Sequence, residues 1–325
     1  MIKNEYLKIE GKTLIGLTEK GMLQTKIVIP SGITKIESAA FYGATLLEEI
    51  VIPKEVDEIG SGAFGYCHKL NDIKILGNIK KLPYGLFQEC YALKEFMIPE
   101  SVKIISDAVF YGCVNLRSIT IPKNVEVIKS EALLDMLRLE SICVDSNNKH
   151  YQSKDGVLFT HDMKILVKYP ERKKDTKYIV PKGVKTIHDF AFMYNKYLKE
   201  IILPNDLEKI GDGAFSMIYA LEKITLPGSV KVLSDSCFYL SKSLNQVIIN
   251  DGVETIEKNA FTMCESLKKL HIPKSIKHIN VGAFLHSDIE EFTIDAENMH
   301  YCVDSNILYN KNKTVIVAYP KTNKP

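Results

Sequence analysis

Apolar and polar positions along this chain repeat with a period of 23 residues. One unit, from Ile50 to Ile73, reads IVIPKEVDEIGSGAFGYCHKLNDI. In it an apolar-x-apolar-Pro run is followed by single apolar residues, an Ala-Phe pair, a Cys and a Leu. A fixed period of this length is typical of repeat architectures, in which each unit packs only on its neighbours. The pattern therefore predicts a mainly β repeat solenoid.

Two positions mark each repeat, a Pro slot and a Phe slot, and both advance in steps of 23 residues within two blocks of five repeats. The Pro slot holds Pro30, Pro53, Leu76, Pro99 and Pro122, then Pro181, Pro204, Pro227, Asn250 and Pro273. The Phe slot holds Phe41, Phe64, Phe87, Phe110 and Leu133, then Phe192, Phe215, Phe238, Phe261 and Phe284. Leu76, Asn250 and Leu133 are local departures from the pattern.

The spacing within one unit predicts its local structure. Leu70, Ile73 and Ile75 suit a short strand with alternating faces. Pro has no N–H to donate, so it ends the strand and turns the chain. The Ala-Phe segment that follows predicts a tight, 3₁₀-like turn with the Phe side chain inward. No unit can bury its own apolar residues, so the stacked units must share a continuous core.

The repeats predict one solenoid over residues 1–325 with five segments. Residues 1–25 do not follow the repeat and predict a small hairpin that caps the first unit. Five repeats fill 26–141, an insert fills 142–177, five more repeats fill 178–291, and a second insert fills 292–325. The inserts correspond, because Ile142 to Pro170 recurs at Phe292 to Pro320. In each, two apolar runs flank a polar turn, which predicts a β-hairpin. The end at Pro325 is consistent with a cut through a longer array.

Composition narrows the possible partners and location. A formal net charge of +2 gives no support to a nucleic-acid or membrane surface. No apolar run approaches the roughly 18–20 residues that span a bilayer. The N-terminal MIKNEYLKIEGK has charges where a signal peptide needs its apolar centre. Either the protein stays inside the cell, or a leader is missing from the chain.

Four of the seven cysteines, Cys67, Cys90, Cys113 and Cys264, occupy one slot, three residues after the Phe slot. This regularity favours small buried side chains in a stack over a disulfide framework. Equivalent Cα atoms on stacked strands lie about 5 Å apart, so a disulfide is also within reach. CxxC is absent, which leaves a zinc or redox site without support.

No motif indicates catalysis, a metal or a cofactor. Gly60-Ser61-Gly62-Ala63-Phe64-Gly65 matches G-x-G-x-x-G, but it falls on the Ala-Phe turn and not between a strand and a helix. The eight histidines are scattered, with no cysteines or carboxylates at metal-ligand spacing. No Ser/His/Asp or Cys/His grouping stands out. We therefore expect a protein that is not an enzyme and binds no cofactor.

The positions that could bind a partner are the outward residues of the strands. At the positions seven and eight residues after the Phe slot, the side chains are mostly polar. The position ten residues after it differs, because seven of its twelve residues are apolar, and we call this set the stripe. It consists of Val28, Val51, Lys74, Met97, Thr120, Cys143, Ile179, Ile202, Thr225, Ile248, His271 and Thr293. Strand propensity on an exposed face explains such residues, and so does an apolar binding surface for a protein. From this stripe we select Val51, Met97, Thr120, Ile202, Thr225, Ile248 and His271 as candidate binding residues.

The unit Leu47 to Cys67, with its Ile-x-Ile-Pro, Ile-Gly and Ala-Phe-x-x-Cys elements, closely resembles the BspA-like leucine-rich repeats. Tyr151-Gln152-Ser153-Lys154-Asp155-Gly156-Val157-Leu158 resembles the β-hairpin of that family. The resemblance covers about residues 26–320. It implies a right-handed leucine-rich-repeat stack with short strands on one face, short turns or 3₁₀ segments, and two hairpin inserts.

The same resemblance implies a function and a location. It suggests a non-enzymatic adhesion or interaction protein, at the cell surface or secreted, that binds a host or matrix protein or a glycan through its sheet face. The alternative is an intracellular scaffold that binds a cytoplasmic protein, which the missing leader and the free thiols favour. The oligomeric state stays open.

Overall fold

The computed structural model describes residues 4–321 of the chain. They divide into two compact units on either side of the boundary between His161 and Asp162, residues 4–161 (unit 1) and 162–321 (unit 2). Each unit is a mainly β solenoid whose 23-residue repeats form successive rungs, as the sequence predicts. The prediction of one solenoid over residues 1–325 stays a prediction. Its ends, at residues 1–3 and 322–325, lie outside the described residues.

Unit 1 begins with a hairpin and continues as paired columns of short strands. Its strands are β1 (Leu7–Glu10), β2 (Thr13–Leu17), β3 (Lys26–Val28), β4 (Lys35–Ile36), β5 (Glu49–Ile52), β6 (Glu58–Ile59), β7 (Asp72–Ile75), β8 (Lys81–Leu82), β9 (Ile104–Ile105), β10 (Ser118–Ile121), β11 (Val127–Ile128), β12 (Ser141–Val144), β13 (Tyr151–Lys154) and β14 (Val157–Thr160). A 3₁₀ helix, Gly21–Leu23, joins the hairpin to β3.

The strands of unit 1 pair in parallel with the equivalent strand one rung away. β3, β5 and β7 form one sheet, and β10 pairs with β12. The two-residue return strands form a second column, in which β2 pairs with β4 and β4 with β6. β1 and β2 are antiparallel, which places the predicted N-terminal hairpin directly against the first return strand.

Unit 2 repeats this arrangement. Its strands are β15 (Ile165–Lys168), β16 (Lys177–Ile179), β17 (Thr186–Ile187), β18 (Glu200–Ile202), β19 (Lys209–Ile210), β20 (Lys223–Leu226), β21 (Val232–Leu233), β22 (Gln246–Ile249), β23 (Thr255–Ile256), β24 (Lys269–Ile272), β25 (His278–Ile279), β26 (Glu291–Ile294), β27 (Tyr301–Asp304), β28 (Ile307–Asn310) and β29 (Ile316–Ala318). β16, β18, β20 and β22 form a parallel sheet, and β24 pairs with β26.

Stacked phenylalanines form the centre of each core. In unit 1 the ring centroids of Phe41 and Phe64 are 4.9 Å apart, and those of Phe64 and Phe87 are 6.0 Å apart. In unit 2 the Phe215 and Phe238 rings stack at 5.4 Å. All of these side chains are fully buried. Each aromatic residue therefore packs on the equivalent residue of the next rung, as the constant period requires.

Backbone hydrogen bonds alternate along the Ala-Phe turn. The N–H groups of Ala39, Phe41 and Gly43 donate to carbonyls of the next rung, at 2.8–2.9 Å. Between them, Ala40 and Tyr42 donate to the carbonyl three residues earlier, as in a 3₁₀ turn. The residues two after the Phe slot adopt left-handed φ, as in Gly43 (73°), and so do those two before it except Glu131, as in Ala39 (58°). Each Phe side chain therefore lies between two residues with strained or glycine-like backbone conformations.

The first insert contains the hairpin that the family resemblance implies at residues 151–158. In unit 1, β13 and β14 are antiparallel, and their two-residue loop places Asp155 (φ 52°) and Gly156 (φ 78°) in the left-handed region. This is the backbone of a type I′ turn, which Asp-Gly favours. In unit 2, β27, β28 and β29 form an antiparallel sheet, with the predicted polar turn between β28 and β29.

Candidate functional site

The predicted stripe lies on the exposed face of the long strands in both units. We call this the strand face. All twelve residues of the stripe are exposed, from Val28 in β3 to Thr293 in β26. Residues 94–98 form no regular strand, but Met97 still points outward and is 87% exposed. Neighbours in the stripe are paired in register, such as Val28 with Val51 and Thr225 with Ile248. The inside–outside assignment of these residues therefore agrees with the sequence pattern.

The structure brings three of the seven candidate residues into one groove of about 410 Å³ in unit 2. Ile202, Thr225 and Ile248 come from the adjacent strands β18, β20 and β22 and form its floor. Ile202 is 37% exposed and Ile248 44% exposed. His271, on β24, is not among the lining residues. Val51, Met97 and Thr120 belong to unit 1. The groove therefore contains only three of the seven candidate binding residues that the sequence pattern indicates.

Polar residues line both sides of this groove. On one side the Glu200 carboxylate pairs with Lys177 and with Lys223, each at 3.3 Å. Partial burial opposes ionisation of Glu200, but the hydrogen bonds from both lysines outweigh it and keep its pKa below the usual range. Asn205 and Asn250 lie on the other side. An apolar floor with fixed charges on one side and amides on the other suits a polypeptide segment.

The groove coincides with a departure from the Pro slot. Asn250 stands where most rungs have Pro, and its N–H donates to the Leu226 carbonyl at 3.1 Å. A second concavity, of about 620 Å³ in unit 1, is lined by the other departure, Leu76-Gly77. Leu76 also donates its N–H to the rung before, to the Ile52 carbonyl at 2.9 Å. Both departures are visible in the sequence as local irregularities, and each of them lines one of the two concavities.

His271 is held by its neighbours on the strand face. Its Nδ1 lies 2.9 Å from Thr293 Oγ1, and its Nε2 lies 3.1 Å from Asp295 Oδ1. The Asp295 carboxylate also accepts the Lys274 N–H at 2.9 Å. These contacts link β24 to β26 and the loop that follows it. They indicate a role in joining two rungs.

The G-x-G-x-x-G match has a structural explanation. A Cβ on Gly60 would lie 2.3 Å from the Ser38 nitrogen, so only glycine allows the two rungs to approach this closely. Gly62 has a φ of 60°, and a Cβ on Gly65 would touch the Tyr42 ring at 3.1 Å. Each glycine serves the turn or the stacking of rungs, which agrees with the structural interpretation of this motif.

The cysteines are free thiols, and five of the seven are buried. In the Cys slot, the Cys67 thiol donates to the Phe41 carbonyl at 3.1 Å, and Cys90 and Cys113 make the equivalent bond. Burial raises the pKa of Cys67 to about 12. These thiols stay protonated near neutral pH and are poor nucleophiles. Within residues 4–321 there is also no cluster of three or more His, Cys, Asp or Glu side chains suited to a metal ion.

A family description, BspA type leucine rich repeat region, matches six copies of its repeat over residues 20–152 and 175–314. The chain belongs to the BspA-type leucine-rich repeat proteins. This confirms the resemblance drawn from the repeat unit and from the hairpin. Leucine-rich repeat proteins are generally non-enzymatic, and the family indicates a protein-interaction module. A comparison with curated proteins finds no match.

Solved structures of bacterial proteins share the fold. A leucine rich cell surface protein from Faecalibacterium prausnitzii is 28% identical, with a TM-score of 0.72 over 84% of this chain and 79% of that one. A leucine-rich repeat protein from Eubacterium ventriosum is 24% identical, with a TM-score of 0.68 over 91% and 92%. The pneumococcal vaccine antigen PcpA is 22% identical, with a TM-score of 0.57 over 83% and 79%. No helix within residues 4–321 has the length and apolar character of a membrane span.

Proposed function

We propose that this BspA-type protein is a non-enzymatic adhesion or interaction module that binds a partner polypeptide through its strand face. The groove over Ile202, Thr225 and Ile248 is the main contact. It is the observation that carries the proposal, because it joins exposed apolar side chains to fixed charges and amides in one concave surface. A partner that buries the Ile202 and Ile248 side chains gains binding free energy from the hydrophobic effect. The Lys177–Glu200–Lys223 row sets the orientation of the partner.

The proposed location is the cell surface, with a host or matrix protein as the partner. The similarity to a leucine rich cell surface protein, at 28% identity over most of both chains, supports this location. A glycan partner is less well supported by the groove. Its floor has isoleucines, which do not offer a sugar ring the flat face of an aromatic side chain.

An intracellular scaffold of the same fold is the second candidate. The seven free thiols favour it, because reducing compartments keep thiols unpaired. Protease treatment and antibody labelling of intact cells that make the native protein separate the two locations. Loss of the protein on treatment supports display at the surface. Full protection, with the protein in the soluble lysate, would contradict it.

The binding surface is tested by placing charge on the groove floor. Ile202→Asp and Ile248→Asp, together, should weaken partner binding by at least ten-fold, since a buried carboxylate in the interface is unpaired. Val232→Asp is the matched control, because Val232 is 41% exposed on a return strand away from the strand face. Met97→Asp tests whether the stripe of unit 1 contributes.

The assay compares these variants quantitatively. Extracellular host proteins and a cytosolic fraction are each passed over the immobilised protein, and retained proteins are measured by mass spectrometry. The partner is the one kept by the wild type and by Val232→Asp and lost by the double variant. Its dissociation constant is then measured with purified protein. Equal retention by all variants, with unchanged melting temperatures, would rule out the groove.

A further inference from the structure

A second distinct surface lies on the turn side of unit 1. We call it the tyrosine surface and define it by Tyr42, Tyr66, His68, Glu89, Tyr91 and Tyr111. These residues occupy positions one, two or four after the Phe slot in four successive rungs. Ring centroids are 5.1 Å apart for Tyr42 and Tyr66, and 4.8 Å apart for His68 and Tyr91. Tyr42 is 50% exposed and Tyr91 is 41% exposed. Clustered, half-exposed aromatic side chains are typical of binding surfaces.

Two glycines make room for this surface. A Cβ on Gly65 would lie 3.1 Å from the Tyr42 ring, and a Cβ on Gly112 would lie 2.9 Å from the Glu89 carboxyl carbon. Each side chain therefore lies directly over the backbone of the next rung. The positions of Tyr42 and Glu89 depend on glycine in the neighbouring rung, which a single repeat cannot show.

Glu89 lies among the tyrosine hydroxyls. A hydrogen bond to Glu89 raises the pKa of Tyr91. Burial raises the pKa of Tyr111, and the charges of Asp135 and Glu89 raise it further. Tyr91 and Tyr111 therefore stay protonated and can donate hydrogen bonds, while the Glu89 carboxylate makes the surface electronegative.

Several acidic residues of unit 1 pair with a basic residue of a neighbouring rung, as in Lys26–Glu49 at 2.8 Å and Lys103–Glu126 at 2.7 Å. Among residues 4–321, by contrast, no Lys, Arg or His side chain lies within ion-pair distance of Glu89 or of the nearby Glu131. The tyrosine surface therefore presents one carboxylate, that of Glu89, with which a cation of a partner can pair.

We propose that the tyrosine surface binds an arginine-rich segment of a partner protein. A guanidinium group pairs with a carboxylate through two parallel hydrogen bonds and also packs on aromatic rings. Lysine offers a single point charge and a more strongly hydrated ammonium, so arginine is preferred. This surface is independent of the groove in unit 2, and its occupant differs in charge and in the side chains that recognise it.

The test uses the full chain and a fluorescein-labelled peptide of five Arg-Ser repeats, with fluorescence anisotropy as the readout. Glu89→Gln and Tyr91→Ala should each weaken binding about five-fold, and a Lys-Ser peptide should bind more weakly than the Arg-Ser peptide. Tyr219→Ala is the matched control. Tyr219 occupies the same repeat position as Tyr91 and is 45% exposed, but it lies near Lys242 in unit 2. It should change the affinity less than two-fold.

Tyr91→Phe separates the ring from the hydroxyl and should retain most of the affinity, and thermal melting verifies that each variant folds. Equal binding of the Arg-Ser peptide to the wild type, Glu89→Gln and Tyr91→Ala would overturn the proposal. Equal affinity for the Arg-Ser and Lys-Ser peptides would also overturn it. So would binding of a neutral oligosaccharide that Tyr91→Ala abolishes and that the Arg-Ser peptide does not displace, since it would assign the surface to a glycan.

Discussion

In nine of the ten repeats the residue two positions before the Phe slot adopts a left-handed backbone, and Glu131 is the exception. Ala39 (φ 58°) and Gly62 (φ 60°) are equivalent residues of successive rungs. For L-residues other than glycine this conformation costs about 1–2 kcal/mol. The turn hydrogen bonds and the buried Phe that follows hold Ala39 in it. Glycine avoids backbone strain at this position, but the hydrogen bonds and packing of the rung also hold other residues in the same conformation.

A reciprocal pair of substitutions should measure that cost. Ala39→Gly should raise the free energy of unfolding by about 0.5–1 kcal/mol, because glycine adopts this φ without strain and loses part of the gain through a more flexible unfolded chain. Gly62→Ala should lower it by a similar amount. No heavy atom lies within 4 Å of a Cβ at Gly62, so only the backbone conformation changes.

Urea denaturation of both variants provides the measurement. If Ala39→Gly destabilises the protein, the Ala39 side chain contributes contacts that outweigh the backbone strain. If Gly62→Ala is neutral, the left-handed conformation of this slot costs little in a stacked rung.

Among elements, the loops before the hairpins depend on one buried asparagine. Asn148 donates through Nδ2 to the Pro122 and Val125 carbonyls, at 2.7 and 3.1 Å. Its Oδ1 accepts the N–H groups of His150 and Tyr151, each at 2.8 Å. Asn298 makes the same four bonds in the second insert, and Asn195 makes an equivalent set to the chain that follows β15. One amide therefore holds the start of the hairpin against the rung before it.

Asn148→Ala should destabilise the protein by about 3 kcal/mol, because it leaves two buried carbonyls and two N–H groups without a partner. Asn148→Asp should also destabilise it, since a carboxylate oxygen would face the two carbonyls that now accept from Nδ2. Asn147→Ala is the control. Asn147 is exposed, and its removal should change stability by less than about 0.5 kcal/mol. Equal unfolding midpoints for Asn148→Ala and Asn147→Ala would contradict this assignment.

For the whole molecule, the arrangement of thiols predicts its response to alkaline pH. Burial raises the pKa of Cys67 and of Cys264 to about 12, and raises the pKa of Cys90, Cys113 and Cys237 above the ordinary thiol value. The folded protein thus holds these protons more tightly than the unfolded chain. The associated stability is fully present below the ordinary thiol pKa and is lost as the pH rises from about 9 towards 12. Each buried thiol contributes a slope of about 1.4 kcal/mol per pH unit.

Cys67→Ser should reduce this slope by the share of one thiol, because a hydroxyl keeps a hydrogen bond to the Phe41 carbonyl and does not ionise in this range. Ser241 already makes the equivalent bond to the Phe215 carbonyl at 2.8 Å. Unfolding free energies between pH 8 and pH 10.5 provide the measurement. At neutral pH a thiol reagent should modify Cys143 and Cys302 rapidly and the five buried thiols only on unfolding. Rapid modification of all seven would show that the stacked thiols are accessible.

Much of each unit follows from the amino-acid sequence alone. Phe64 and Ile73 recur at constant spacing, and a side chain that recurs in this way must lie over its equivalent in the next rung. The same alternation assigned Ile202 and Ile248 to the exposed face. The candidate site was predicted only as a stripe of seven residues. The division of the stripe between the units and the groove over Ile202, Thr225 and Ile248 could not be predicted, because the groove depends on side chains of three strands and on the backbone around Asn250.

The repeat, the inward and outward faces and the family can all be read from the amino-acid sequence, since all three follow from a periodic pattern that most rungs share. The places where the surface becomes specific depend instead on how neighbouring rungs pack. Ile202, Thr225 and Ile248 meet in one groove, and Glu89 lies near tyrosines of its own rung and of both neighbouring rungs, because side chains that vary from rung to rung come together there. A departure in one repeat does not define a binding site by itself. A site forms when neighbouring rungs place the altered side chains close to one another.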